Sequence, residues 1–187
     1  MSNHRVKVYQ LKITLMDAKP PIWRRLLIPS TTTLGMAHRA IQIAMGWTNS
    51  HLHQFVADGF FYGRPDPDFD LDEVLDEDRY KLSQLLKREK DSILYEYDFG
   101  DGWRHKVTLE KALFMDADTP LPQCIKGKRA CPPEDIGGVW GYEEALSAIT
   151  DPDHPEHADY VEFCGEDFDP EAFDLDEVNA LLFEYCR

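Results

Sequence analysis

The chain has 187 residues, 43% of them apolar and 12% aromatic, enough to bury one core as a single domain over residues 1–187. Thirty-five acids face twenty Lys/Arg, a net charge of −15, and phosphate backbones repel such a surface, which argues against nucleic-acid binding. No apolar run approaches the roughly eighteen residues of a membrane span, so no membrane association is expected. MSNHRVKVYQ lacks the apolar centre of a signal peptide. Four cysteines (124, 131, 164 and 186) form no disulfide-scaffold pattern, and a reduced, cytoplasmic protein is expected.

The charge is unevenly placed. Residues 1–65 carry eight Lys/Arg against two acids, residues 66–78 carry eight acids and no base, and residues 151–187 carry thirteen acids against one base. The basic N-terminal block could meet nucleic acid, but Coulomb attraction favours its docking the acidic tail.

Val6 to Leu15 alternates, with Tyr9, Leu11, Ile13 and Leu15 on one side, as a half-buried strand does. Ile22 to Ile28 resumes the extended pattern after Pro20-Pro21. Thr31 to Thr33 offer N-cap hydroxyls to a helix whose inward stripe is Leu34, His38, Ile41 and Met45, and Gly46 stands where a helix stops. On that stripe His38 reads as a satisfied, semi-buried side chain. Residues 51–56 form a strand placing His51 and His53 on one face, and Asp58-Gly59 turns it back into Phe60-Phe61-Tyr62. Residues 64–79 are an acidic loop, and Tyr80–Leu86 a short helix or turn.

The central feature is a hairpin within Tyr95–Lys111. Ile93, Tyr95, Tyr97 and Phe99 alternate before the turn Gly100-Asp101-Gly102, and Trp103, His105, Val107 and Leu109 after it. Both glycines are expected to supply positive φ, and Glu96 and Asp98 to face Arg104 and Lys106 across the strands. Residues 115–140 read as a long Pro/Gly-rich loop, and 141–187 as an acidic helical segment. Its helices are Tyr142–Ile149, Pro155–Cys164 and Leu175–Tyr185, the last capped by Asp174. The hexamer FDLDEV occurs at 69–74 and 173–178, both read as acid-rich helix starts. The whole is α+β: a mostly antiparallel sheet plus one central helix form a core over 5–114, helices cover one face, and the first hairpin and helix make a β-grasp-like start.

Five stretches, PPIWRRLLIP (20–29), TLGMAHRAIQIAMGW (33–47), HLHQF (51–55), YDFGDGWRHKVTLE (97–110) and CIKGKRACPPEDIGGVWGYEEAL (124–146), together resemble the plasmid Ri (pRiA4b) ORF-three-like family. Members of that family also occur as passenger proteins of insertion sequences. The resemblance implies a compact α+β domain and a mobile-element context; it implies no catalytic residue, cofactor or ligand.

The chain has no G-x-S-x-G elbow, P-loop or H-E-x-x-H. Asp98, Asp101, Glu134 and Asp135, with Tyr97 and Trp103, are the candidates for a pocket or interface. The plainer alternative gives the hairpin acids to turn formation, and puts Glu134-Asp135 in the first turn of a helix begun by Pro132-Pro133. His51, His53, His105, Cys124 and Cys131 offer zinc-type donors, although six residues separate the two cysteines where two to four are usual. Asp66, Asp68, Asp70 and Glu77 have EF-hand-like spacing, but Leu71 stands where the loop needs glycine. The leading expectation is a non-enzymatic interaction module that binds another protein and needs no cofactor. The alternatives are a zinc-binding protein or metal-dependent enzyme, and a nucleic-acid-binding accessory protein.

Overall fold

Alternation builds the first strand, β1 (Arg5–Leu15), where Tyr9, Leu11, Ile13 and Leu15 are buried while Gln10, Lys12 and Thr14 lie on the partly open face. The structure, a computed structural model, describes residues 5–65 and 74–186. β1 pairs with β2 (Trp23–Pro29) on one side and with β7 (Trp103–Asp116) on the other. At fourteen residues β7 also carries β6 (Ser92–Tyr97), which pairs with β3 (His53–Ala57). The sheet is completed by β4 (Phe60–Gly63), β5 (Val74–Asp76) and β8 (Gln123–Lys128), in the order β5-β4-β3-β6-β7-β1-β2-β8. Among the described residues only the β4–β5 pair is parallel, so the architecture is the expected α+β one with a mostly antiparallel sheet.

The central helix α1 (Leu34–Met45) follows the first strand pair. Thr33 Oγ1 accepts from the Met36 N–H at 3.3 Å, and Gly46 ends the helix at φ 110°. Leu34, Ala37, Ile41, Ala44 and Met45 pack on the sheet face carrying Tyr9, Leu11 and Ile13. The β3–β4 turn at Asp58-Gly59 has φ 50° and 80°, the paired positive values of a tight hairpin turn. A short 3-10 turn (Glu77–Arg79) and α2 (Leu82–Leu85) lead into β6.

Arg24 is buried by being fully paired. Its guanidinium donates to the Ala44 carbonyl at 2.6 Å, to Trp23 at 2.9 Å and to Lys128 at 3.0 Å, and lies 4.3 Å over the Phe173 ring. The carbonyls ending α1 thus receive a donor that the helix cannot supply.

Several expectations are corrected. Residues 115–140 are not one irregular loop: β7 runs to Asp116, β8 occupies 123–128, and α3 (Gly138–Thr150) begins inside the stretch. β6 stops at Tyr97, leaving Phe99 54% exposed. The positive φ values of that turn belong to Asp98 (56°) and Gly102 (69°), not to both glycines. Glu96 does face Arg104, but Asp98 lies beyond the ladder, and Arg104 pairs with Asp17 at 2.9 Å. The helix expected from Pro155 starts at His157 (α4, His157–Cys164). Val74, the last residue of the first FDLDEV copy, opens strand β5; the rest of that copy and the candidate calcium positions Asp66, Asp68 and Asp70 lie outside the described residues, which omit 66–73.

The tail reaches the basic N-terminal block as well as β8: Arg24 of β2 lies over the Phe173 ring, and Arg39 of α1 donates to the Tyr185 carbonyl at 3.3 Å. α5 (Leu175–Tyr185), capped by Asp174, lies along β8, where the Asn179 amide accepts from the Cys124 N–H and donates to the Cys124 carbonyl, both at 2.8 Å. That covers a sheet edge whose open N–H and C=O groups would otherwise invite pairing. Two cations of β2 are also engaged within the sheet: Arg24 is buried and Arg25 pairs with Glu110 at 2.6 Å.

Candidate functional site

Three turns meet at one end of the sheet: residues 48–52 after α1, the β6–β7 tip, and residues 132–138 before α3. The tip is closed by the Gly102 N–H donating to the Asp98 carbonyl at 2.6 Å, while Asp98 Oδ1 accepts from Gly100 (2.9 Å) and Asp101 (3.3 Å). The Asp98 N–H in turn donates to the Leu52 carbonyl at 2.8 Å, which holds the first turn on the second. Asp101 reaches the third turn, accepting from the Gly137 N–H at 3.1 Å. Gly138 has φ 70°, and a Cβ there would collide with the Asp101 carbonyl oxygen; only glycine permits this approach.

His51 stands in the middle. Its Nε2 is 3.0 Å from Asp135 Oδ1, 3.6 Å from Asp98 Oδ2 and 3.8 Å from Glu134 Oε2. That nitrogen is inaccessible to solvent, yet none of the three oxygens lies in line for a hydrogen bond. The Asp98 side chain is 9% exposed and Asp135 is 69% exposed, so the group runs from the interior to the surface. Glu134 is positioned by three donors: the Tyr97 hydroxyl at 3.0 Å, the Thr48 N–H at 2.9 Å and the Thr48 hydroxyl at 3.2 Å. Burial, with Glu134 adding to it, holds the Tyr97 phenol above its ordinary pKa.

The structure therefore brings Tyr97, Asp98, Asp101, Glu134 and Asp135 to one place. Two expectations about them change. Trp103 is fully buried against Trp47, centroids 5.6 Å apart, and offers nothing to a surface; Tyr97 is equally buried and contributes only its hydroxyl. Glu134-Asp135 do not open a helix: they form a turn, Asp135 at φ 59°, ahead of α3.

The histidines and cysteines read as a zinc set scatter. His51 precedes β3, so it does not share a strand face with His53. His53 gives its Nε2 to Glu77 at 2.7 Å and stacks on His38, centroids 3.3 Å apart. His105 is buried with Nδ1 3.4 Å from the Tyr95 carbonyl, and burial lowers its pKa to about 4. Burial raises both the Cys124 and Cys131 thiols, which disfavours the thiolates a metal needs. Among the described residues, the donors that do converge are His51 Nε2, Asp98 Oδ2 and Asp135 Oδ1, all within 4.8 Å of one another.

A second polar layer lies behind the site. The Tyr95 hydroxyl accepts from Gln42 Nε2 and meets His38 Nδ1, each at 2.8 Å, and His38 Nε2 meets Asn49 Oδ1 at 2.8 Å. Asn49 Oδ1 can only accept, so the His38 proton sits on Nε2 and Tyr95 donates to Nδ1. Burial lowers the His38 pKa to about 3, keeping it neutral. A cleft of about 470 Å³ opens over this layer, lined by His38, Arg39, His51, His53, Arg64 and Glu77 among others. In the sequence Glu77 carries only a calcium-type spacing; its pairing with His53 is not visible there because 24 residues separate the two.

Residues 7–177 match the family model of the plasmid pRiA4b ORF-3-like protein. The chain belongs to that family. It is 40% identical over 177 residues to the uncharacterized protein y4hQ of Sinorhizobium fredii, covering 94% of this chain and 90% of that protein. It is also similar to a solved structure, the protein of unknown function MM3350 from Methanosarcina mazei Go1, with a TM-score of 0.84 and 41% identity over 92% of this chain and 97% of that one. No helix among the described residues of this plasmid ORF-3-like protein is long and apolar enough to cross a membrane.

Proposed function

We propose that the protein is a non-enzymatic interaction module whose hairpin-tip end receives a basic segment of another protein. One observation carries this reading: the segments that assemble the carboxylate group also display large apolar side chains. Trp140 in the first turn of α3 is 81% exposed, Leu52 57% and Phe99 54%. Exposed aromatic anchors around a charged centre are what protein interfaces use, with tryptophan foremost among residues whose loss weakens binding. The charge selects the partner's sign. Among the described residues the ion pairs of Asp98, Glu134 and Asp135 are all with His51, leaving the end acidic. Lys and Arg side chains on a partner would meet both the carboxylates and the ring faces. Nucleic acid is the less supported partner, because Arg24 and Arg25 of the basic block are engaged inside the fold.

Selection of displayed random peptides tests the reading. Peptides enriched on the protein are expected to combine Lys/Arg with apolar residues. They should lose at least tenfold in affinity for Trp140→Ala and for Asp135→Asn, and weaken as salt rises. Enrichment that is equal on the Trp140→Ala protein, or peptides without basic residues, would overturn it.

A further inference from the structure

We infer that His51, Asp98 and Asp135 form a binding site for one divalent transition-metal ion, with zinc the best match. The site shares Asp98 and Asp135 with the partner reading, and a bound ion would offset part of the negative charge that reading uses. Ligands about 2.1 Å from a tetrahedral ion stand about 3.4 Å from one another. His51 Nε2 lies 3.0 Å from Asp135 Oδ1 and 3.6 Å from Asp98 Oδ2, two spacings that bracket the tetrahedral edge, and the three donors all lie within 4.8 Å of one another. Glu134 Oε2, 3.8 Å from the same nitrogen, stands beside the group as a fourth oxygen.

Two further observations separate this group from an ordinary cluster of surface acids. The first is the His51 nitrogen, shut off from solvent and without a hydrogen bond although three carboxylates surround it. An ion pair with one of them would be expected to align the N–H with an oxygen; here the nitrogen instead faces the space between the oxygens, where an ion would sit. The second is Asp98, whose side chain is 9% exposed. Both backbone N–H groups it receives go to Oδ1. This fixes the carboxylate and turns Oδ2 toward His51, the outer-sphere support that orients metal ligands. One imidazole among carboxylates suits zinc and its first-row neighbours, whereas magnesium and calcium favour all-oxygen sets. With His51, Asp98 and Asp135 as ligands, the fourth position would fall to Glu134 Oε2 or to water, which the 69% exposure of Asp135 admits.

The test uses the full chain, freed of metal by chelation and titrated calorimetrically with zinc chloride, manganese chloride and magnesium chloride. One zinc ion per chain is expected, with a rise in melting temperature that grows with zinc concentration, and no saturable uptake of magnesium. His51→Ala and Asp135→Ala are each expected to weaken zinc at least tenfold. Asp98→Asn keeps an acceptor for the two N–H groups and should behave likewise. Nitrogen-15 spectra of the histidine rings add a check that folding defects cannot mimic: zinc should shift the His51 ring alone. Trp140→Ala should bind zinc as the parent does, so failure of the partner reading and of the metal reading can be told apart. Absence of stoichiometric zinc binding would overturn the inference, as would binding that survives His51→Ala or is lost on Cys124→Ser.

Discussion

His51 and His53 are two residues apart and meet opposite fates. His53 gives its Nε2 to Glu77, lies flat on His38, and has a side chain only 10% exposed. His51 has a side chain 29% exposed and keeps a nitrogen free of hydrogen bonds among three carboxylates. The first belongs to a closed polar layer where each ring is held by a neighbour, which is how buried polar groups become tolerable. The second belongs to an end of the molecule where one imidazole nitrogen stands among carboxylates with no hydrogen bond of its own. Imidazoles in the first setting hold the fold; one in the second is available to a ligand.

Substitutions can break this contrast, and the largest effect belongs to the closed side. Trp103→Ala should lower unfolding stability by about 3–5 kcal/mol in urea titrations, because the indole is fully buried. Acid comes next. Burial holds His38 near 3 and His105 near 4, below the ordinary histidine value of about 6.5. The unfolded chain therefore takes up protons that the folded chain refuses. Stability from these two rings is complete above about pH 6.5 and is lost as pH falls toward their folded values, by up to about 1.4 kcal/mol per pH unit for each ring. Denaturation curves at pH 7, 6 and 5 read that slope, and stability unchanged over this range would refute it. Tyr95→Phe removes the hydroxyl that satisfies Gln42 and His38, and should cost about 1–3 kcal/mol. Smallest of all, His51→Ala and Trp140→Ala should each stay within about 0.5 kcal/mol of the parent. A large loss at His51 would place it with the structural rings and erase the contrast.

Much of the scaffold was legible because its signals are local. Alternation over Val6–Leu15, the Thr33 cap with Gly46 at the far end of α1, the Asp58-Gly59 turn and the Asp174 cap each need only a few neighbouring residues, and each element is present. β8 was missed because QCIKGK buries Cys124 but shows no alternation, and its pairing with β2 passes through a register shift. Asp98, Asp101, Glu134 and Asp135 were chosen for their chemistry, yet their meeting depends on contacts 36 and 37 residues apart, which no local pattern reports. The grouping of His51 with His53 fails for a narrower reason. Period-two reasoning holds only within a strand, and β3 begins two residues after His51. The cysteines drew a zinc reading from residue type alone, whereas their burial keeps them protonated.

The contact between Gly138 and the Asp101 carbonyl works as a latch made from a missing carbon atom. It keys the start of α3 into the tip of the central ribbon, so the acidic end is whole only while that helix stays seated. A methyl group at 138 would act as a wedge: it would separate Asp135 from His51 while altering no residue that either of them touches. Control over this surface thus resides in how one helix is seated, and a partner that lifted α3 could dismantle it from outside.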